Sequence, residues 1–287
     1  MKRFAGLIFA ALVVVATTFF SSAVEGAQST DRENDTSVGS EQNVNRFLNK
    51  LSPDEPLFFS MGWREEWNAS FQLSFKYAFM NTDDPVLLRG PLWTRVFFGY
   101  TQRSLWILGE ESSPFYDTSY RPSLFYRQPL ALSSSSGQLS FGWQAGVEHE
   151  SNGQGGDESR SLNIAYFEPR FDFASVFGGR LVVRPRVWTY VGNLDDNPDI
   201  AEYRGYGQLL LAYTSEHEWQ LAATFRLGTE GHESVQLDLT YPMDKLLLPT
   251  FDAYLHLQYF SGWGETLRSY DQRRPWQLRV GLAVVRW

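Results

Sequence analysis

From Pro56 onward this chain alternates apolar and polar residues with a period of two, and much of the polar phase is charged. Phe71, Leu73, Phe75, Tyr77 and Phe79 alternate with Gln72, Ser74, Lys76 and Ala78, and further alternating runs begin near Trp93, Arg121, Leu139, Ser161, Gly179, Glu202, Glu218, Glu233, Phe251 and Trp276. On an extended backbone successive side chains point to opposite faces, so each run has one greasy face and one polar face. The polar positions include Arg180, Arg184 and Arg186, then Gln220, Thr224 and Arg226, then Gln236, Asp238 and Thr240. Charges at such regularity are expensive in a dry core, but they suit a barrel lumen whose outer wall meets lipid. Eleven runs are strong and one, Leu57 to Trp63, is weak. Single-chain bacterial barrels have even strand numbers, which favours accepting the weak run. The expected fold class is all-β: a transmembrane antiparallel β-barrel of about twelve strands over residues 55–287.

Residues 1–27 read as a secretory signal peptide, with Lys2 and Arg3 as the basic start, an apolar run from Leu7 to Phe20, and Ala23 or Ala27 as cleavage sites. No later stretch reaches the roughly 18 consecutive apolar residues of a transmembrane helix. Residues 28–54 are rich in Ser, Asp, Glu and Asn and read as a polar, flexible segment, in which Val44, Phe47, Leu48 and Leu51 fall at helical spacing. The formal charge of −8 speaks against a nucleic-acid partner, and the absence of cysteine excludes disulfides and thiolate metal sites. Aromatic residues at 16% fit a protein with membrane–water interfaces.

The stretch that concentrates chemistry is the hairpin 139–173, around Val147-Glu-His-Glu-Ser-Asn-Gly-Gln-Gly-Gly-Asp-Glu-Ser-Arg-Ser-Leu-Asn163. His149 and Ser151 are two apart, so on a strand they share a face about 6–7 Å apart at Cα. If Asn163 on the returning strand pairs opposite His149, their Cβ atoms lie roughly 4.5–5.5 Å apart. One hairpin then carries a nucleophile, a base and an amide to orient the base, a triad by role. The phase decides where it faces. Leu139, Phe141, Trp143, Ala145 and Val147 share the side of His149 and Ser151, while Glu148 and Glu150 take the other. In a membrane barrel that apolar side meets lipid, and lipid is the abundant substrate there. Gln102 breaks the outward set Val96-Phe98-Tyr100-Gln102-Ser104-Trp106, which suggests a hydrogen bond to another protein in the membrane, hence self-association. His217, His232 and His256 lie far apart and read as rim or lumen residues rather than a metal cluster.

His149-Glu-Ser-Asn-Gly153, with Ser159-Arg-Ser-Leu-Asn163 at this spacing, closely resembles the active-site hairpin of the bacterial outer-membrane phospholipase A family. The resemblance continues in Tyr100-Thr-Gln102, Glu111-Ser-Ser-Pro-Phe115, Tyr190-Val-Gly-Asn193, Asp195-Asp-Asn-Pro-Asp199 and Ser261-Gly-Trp-Gly-Glu265. It implies a barrel in the outer membrane of a Gram-negative bacterium. Such a barrel hydrolyses the acyl esters of glycerophospholipids (A1, A2 and lysophospholipase activity) and is active as a calcium-dependent homodimer. Ser151 matches the nucleophile, His149 the base, Asn163 the orienting residue and the Gly153 amide part of the oxyanion hole. For Ca²⁺, the resemblance implies Ser159 and the carbonyl of Gln154 from one subunit and Ser112 from its partner; Asp196 matches one of two Asp residues through which relatives can hold calcium in the monomer. Gln102 matches the polar dimer contact. The chain departs from the pattern at Leu162, where an aromatic is common and the lipid-facing packing is expected to differ. It departs again at Gly156, where relatives can carry a second calcium-binding Asp. The rival reading is a non-enzymatic porin or adhesin barrel; a soluble secreted esterase is disfavoured by the outward aromatics.

Overall fold

A computed structural model of the chain describes residues 45, 47–64, 66–80, 95–108, 115–246 and 251–287. The signal-peptide reading of residues 1–27 and the calcium ligand expected at Ser112 lie outside the described residues. The strands are β1 (Leu51–Ser52), β2 (Leu57–Trp63), β3 (Trp67–Ala78), β4 (Val96–Ile107), β5 (Phe115–Ser133), β6 (Leu139–Ser151), β7 (Ser161–Val176), β8 (Gly179–Tyr190), β9 (Gly207–Thr214), β10 (Gln220–Leu227), β11 (Glu233–Pro242), β12 (Tyr254–Gly262) and β13 (Arg274–Val285). From β2 on, each strand pairs antiparallel with the next, and β13 pairs with β2, closing a twelve-stranded barrel. The weak run 57–63 is a full member of the wall. β1 is a two-residue addition against β3.

The alternation produces an inside-out protein. Arg279 is 1% exposed, whereas its neighbours Leu278 and Val280 are 43% and 51% exposed. Ser60, Gln258 and Gln277 are wholly buried, while Leu124, Val147, Phe167 and Leu239 are exposed. A water-soluble sheet would reverse this. An outer wall of exposed Leu, Val and Phe is stable only against hydrocarbon, which places the barrel in a membrane. The lumen is knit by ion pairs between inward positions: Glu148–Arg186 at 3.1 Å, Glu150–Arg204 at 3.0 Å and Glu168 with Arg184.

Two expectations need correction. The run read from Glu202 is interrupted: residues Ile200–Arg204 form helix α1, and the strand begins only at Gly207. Gly205, at φ 61°, ends that helix where a Cβ would stand 2.0 Å from the Leu227 carbonyl, so only glycine lets the chain turn here. The end of the segment 28–54 is paired into the sheet. Leu51 and Ser52 pair with Tyr77 and Lys76, so Leu51 belongs to a strand rather than a helix. Beyond them Asp54 meets Arg127 at 2.6 Å, Glu55 meets Arg121 at 2.6 Å, and the Pro56 carbonyl accepts from Gln72 at 2.9 Å. Residues 53–56 therefore form a strap fastened to the inward cations of β3 and β5.

Candidate active site

The hairpin of β6 and β7 adopts the register predicted from spacing. His149 stands opposite Asn163 and Ser151 opposite Ser161. His149 Nδ1 and Asn163 Oδ1 are 2.9 Å apart. A carbonyl oxygen only accepts, so the ring nitrogen donates and the proton sits on Nδ1. That leaves Nε2 as an acceptor. Ser151 is the next residue on the same face; among the described residues no hydrogen bond joins it to His149. Such contacts commonly tighten only with substrate bound. Between them Glu150 turns inward, accepting from Ser119 Oγ at 2.7 Å and pairing with Arg204. Glu150 is thus anchored on the inner face while its neighbours His149 and Ser151 lie on the outer one.

The loop after Ser151 is organised by a residue that the sequence reading passed over. Asn152 is buried, accepts from the amides of Gln154 (3.2 Å) and Arg160 (3.0 Å) through Oδ1, and donates to the Glu158 carbonyl at 2.8 Å. One side chain therefore ties both ends of the loop. Gly153 has φ 69°, a conformation that favours glycine, and a Cβ there would press on the Tyr120 ring at 3.0 Å. Loop 191–206 braces the same region: Asn197 Oδ1 accepts from the Ser161 amide at 3.0 Å. Asp196 Oδ2 accepts from the hydroxyls of Ser159 at 2.9 Å and Ser161 at 3.1 Å. The only early signals for these brackets were the turn-forming Asn-Gly and Asp-Asn-Pro-Asp stretches, which specify turns but not their targets.

Two further readings change. Leu162 points inward and packs with Ile164, Tyr166, Ile200 and Leu267, so the departure there concerns the lumen side, not the lipid side. Gln102 lies on the outer wall in one lateral row with Leu73, Tyr120 and Ser151, but its amide is not unpaired. It accepts from Tyr100 Oη at 3.1 Å and donates to Ser104 Oγ at 3.4 Å.

A second Ser-His-Asp set lies inside the barrel. His256 Nδ1 is 2.9 Å from Ser60 Oγ and its Nε2 is 2.9 Å from Asp238 Oδ1. Ser60 is 0% exposed, so no ester could reach it. Access, not constellation, separates the outer group from this lumen one. Among the described residues no three His, Asp or Glu side chains converge as a metal site. A cation at the hairpin would instead use hydroxyl, carbonyl and single-carboxylate oxygens, a hard set suited to calcium, and Ser159 with Asp196 supplies two that already touch.

Residues 34–285 match the family model described as phospholipase A1. The chain belongs to the phospholipase A1 family. Members of that family are carboxylic ester hydrolases, and the fold and outer-membrane setting described above agree with it. The phospholipase A1 of Escherichia coli K12 is 34% identical over 224 residues, covering 75% of this chain and 68% of that protein. The phospholipase A1 of Klebsiella pneumoniae is 30% identical over 259 residues, covering 84% and 83%. A Neisseria meningitidis relative is 33% identical over 226 residues, covering 74% of this chain; the chain spans only 53% of that protein. Among solved structures, outer membrane phospholipase A from E. coli superposes with a TM-score of 0.69 at 28% identity, over 82% of this chain and 92% of that one. The Salmonella typhi outer membrane phospholipase, solved as a dimer with bound calcium, gives 0.69 at 26% identity, again over 82% and 92%.

Proposed function

We propose that this phospholipase A1 family barrel hydrolyses the acyl esters of membrane glycerophospholipids, at either position and in lysophospholipids, with Ser151 as nucleophile, His149 as base and Asn163 as orienting residue. The observation that carries the reading is the His149–Asn163 hydrogen bond on the outer wall, beside Ser151 and away from the lumen. Depth supports it. From Leu139 to His149 the strand rises ten residues; at about 3.4 Å each and a tilt of about 45°, that spans the roughly 25 Å of an apolar band. His149 then stands at the band's edge, level with lipid ester groups rather than acyl tails.

The chemistry follows from the tautomer. His149 Nε2 takes the Ser151 hydroxyl proton as Oγ attacks the ester carbonyl. The Gly153 amide donates to the oxyanion, a contribution of roughly 3–4 kcal/mol for one aligned donor. His149 then returns the proton to the departing alkoxide, leaving acyl-Ser151 and a lysolipid or glycerol compound. Water, deprotonated by His149, attacks the acyl-serine; His149 then returns that proton to Ser151 Oγ as the acyl bond breaks, freeing the fatty acid and restoring the serine. Asn163 holds the ring throughout without adding a charge beside the hydrocarbon.

Calcium, held by Ser159, the Gln154 carbonyl and Ser112 of a partner subunit, would supply positive charge next to the developing oxyanion. The structure of the S. typhi relative as a calcium-bound dimer supports this. The E. coli relative, of which an active-site mutant carrying alanine in place of asparagine has been solved, supports instead an asparagine in the triad. The lateral row favours a homodimer: Gln102 is two strands from Ser151, about 10 Å. A partner docked on Gln102 would thus border the site, and dimerisation and activation would be one event. The decisive measurement is fatty-acid release from detergent-dispersed phospholipid in calcium. Ser151→Ala is expected to lower the rate at least about 10³-fold. Equal rates for wild type and variant, together with conductance in planar bilayers, would transfer the barrel to the porin reading.

A further inference from the structure

The loop between Ser151 and Ser161 carries the Gly153 amide, yet its own sequence leaves it loose. Gly153, Gly155 and Gly156 fall within four residues, residues 153–158 are all exposed, and a Cβ at 155 or 156 would meet nothing within 4 Å. Glycine has the most backbone freedom to lose, so such a loop holds an amide in place only where side chains fasten it. Asn152 ties its two ends together, but both ends belong to one hairpin. Two fastenings reach the loop from other extracellular loops: Asp196 at Ser159, and Arg268, whose guanidinium forms an ion pair with the Glu158 carboxylate.

Arg268 lies between β12 and β13 on a segment that is itself well held. Leu267 and Tyr270 on either side of it are buried in the cluster that includes Leu162 and Ile200, and Thr266 Oγ1 accepts from the Ser269 amide at 3.2 Å. The Arg268 amide donates to Oδ2 of the buried Asp117 at 2.8 Å. Its Nη1 donates to the Tyr116 carbonyl at 3.1 Å, with the guanidinium 5.3 Å from the centre of the Tyr116 ring, while Nη2 meets Glu158. One side chain therefore joins the start of β5 to the active-site loop. Glu158 is also the residue whose carbonyl accepts from Asn152, and Asn152 directly precedes Gly153. We infer that Arg268 is a positioning residue for the oxyanion donor: through Glu158 and Asn152 it clasps the loop so that the Gly153 amide stays beside Ser151. The clasp rests on the phospholipase reading of the hairpin. It touches neither lipid nor the reacting atoms, so it acts on the rate at the ester rather than on lipid binding.

The test pairs hydrogen–deuterium exchange of the purified full-length barrel in detergent and EDTA with fatty-acid release from detergent-dispersed phospholipid at saturating calcium. The amides to follow are those of Gln154, Ser159 and Arg160, which are hydrogen-bonded within the loop. Arg268→Gln and Glu158→Gln should each speed their exchange and lower kcat about two- to fivefold, the scale of one partly exposed ion pair, with KM for lipid unchanged. The double variant should lose no more than either single one, because the two residues form one contact. Arg273→Gln, which removes an exposed cation from the same loop, should change neither measurement. Exchange equal to wild type in the single variants, or losses that add in the double one, would overturn the clasp. So would single variants that move kcat in opposite directions, the mark of a charge acting through space. A wild type that releases no fatty acid would count against the phospholipase reading alone, and the exchange rates would still decide whether Arg268 holds the loop.

Discussion

Asn163 stays exposed on the outer wall while its amide oxygen takes the His149 ring proton, and that combination sets what each substitution should do. An aspartate would hold the same tautomer and stabilise the imidazolium better, at a higher desolvation cost beside lipid. Asn163→Asp is therefore expected to keep measurable hydrolysis, whereas Asn163→Leu should lose about 10²-fold or more, as expected for losing the orienting partner of a general base. Rates for both on one phospholipid substrate check this, and an inactive Asn163→Asp would remove the desolvation argument. Gly153→Ala meets two obstacles at once, a positive φ and the Tyr120 ring. Its kcat should fall about tenfold or more, through a displaced amide donor, with the barrel intact by circular dichroism.

The strap of residues 53–56 shows how an irregular element can close a regular one. Burial pushes the Asp54 carboxyl up, but Arg127 and Lys76 more than offset it and hold it below its ordinary value of 3.8. A lowered folded-state value means that Asp54 stabilises the barrel fully above pH 3.8, and that this stability is lost as pH falls through the folded-state value. Asp54→Asn should cost roughly 1–3 kcal/mol at pH 7, because Arg127 loses its buried partner. Guanidinium unfolding in detergent should show the gap between wild type and variant narrowing below pH 3.8. A gap independent of pH would separate the strap's role from its charge. The loop 191–206 is the corresponding device at the hairpin end. Its short helix α1 brings Arg204 to Glu150, while Asp196 and Asn197 reach the loop and strand that follow Ser151.

At the scale of the whole molecule the wall is uneven: β5 has 19 residues and β7 has 16, while β9 and β10 have 8 each. The hairpin that carries His149 and Ser151 belongs to the tall side, as does β4 with Gln102. A partner barrel docking there would meet a broad apolar face with a polar line, Tyr100, Gln102 and Ser104, running through it. Gln102 uses one acceptor and one donor within its own wall, leaving a second N–H for a partner. Gln102→Leu should weaken the proposed calcium-dependent dimer by roughly 0.6–1.7 kcal/mol, the range of intramembrane polar contacts. Sedimentation equilibrium in detergent measures it, and an unchanged dimer would place the interface elsewhere.

Strand phase was legible because a period of two survives any amount of tertiary context: the greasy face of β6 had to be the lipid face, and His149 shares it. The pairing of His149 with Asn163 was legible too, since a hairpin's register follows from counting outward from its turn. What no count could reach were contacts between segments far apart in the chain. Asp196 meeting Ser159, the strap meeting β3 and β5, and helix α1 interrupting an alternating run all depend on closure of the barrel, which brings distant inward and rim positions together. The sequence by itself therefore determined the membrane barrel and the face on which His149, Ser151 and Asn163 lie. Only the tertiary structure decided which polar groups satisfy one another. Period is a property of a strand, whereas partnership inside a lumen is a property of the closed circle.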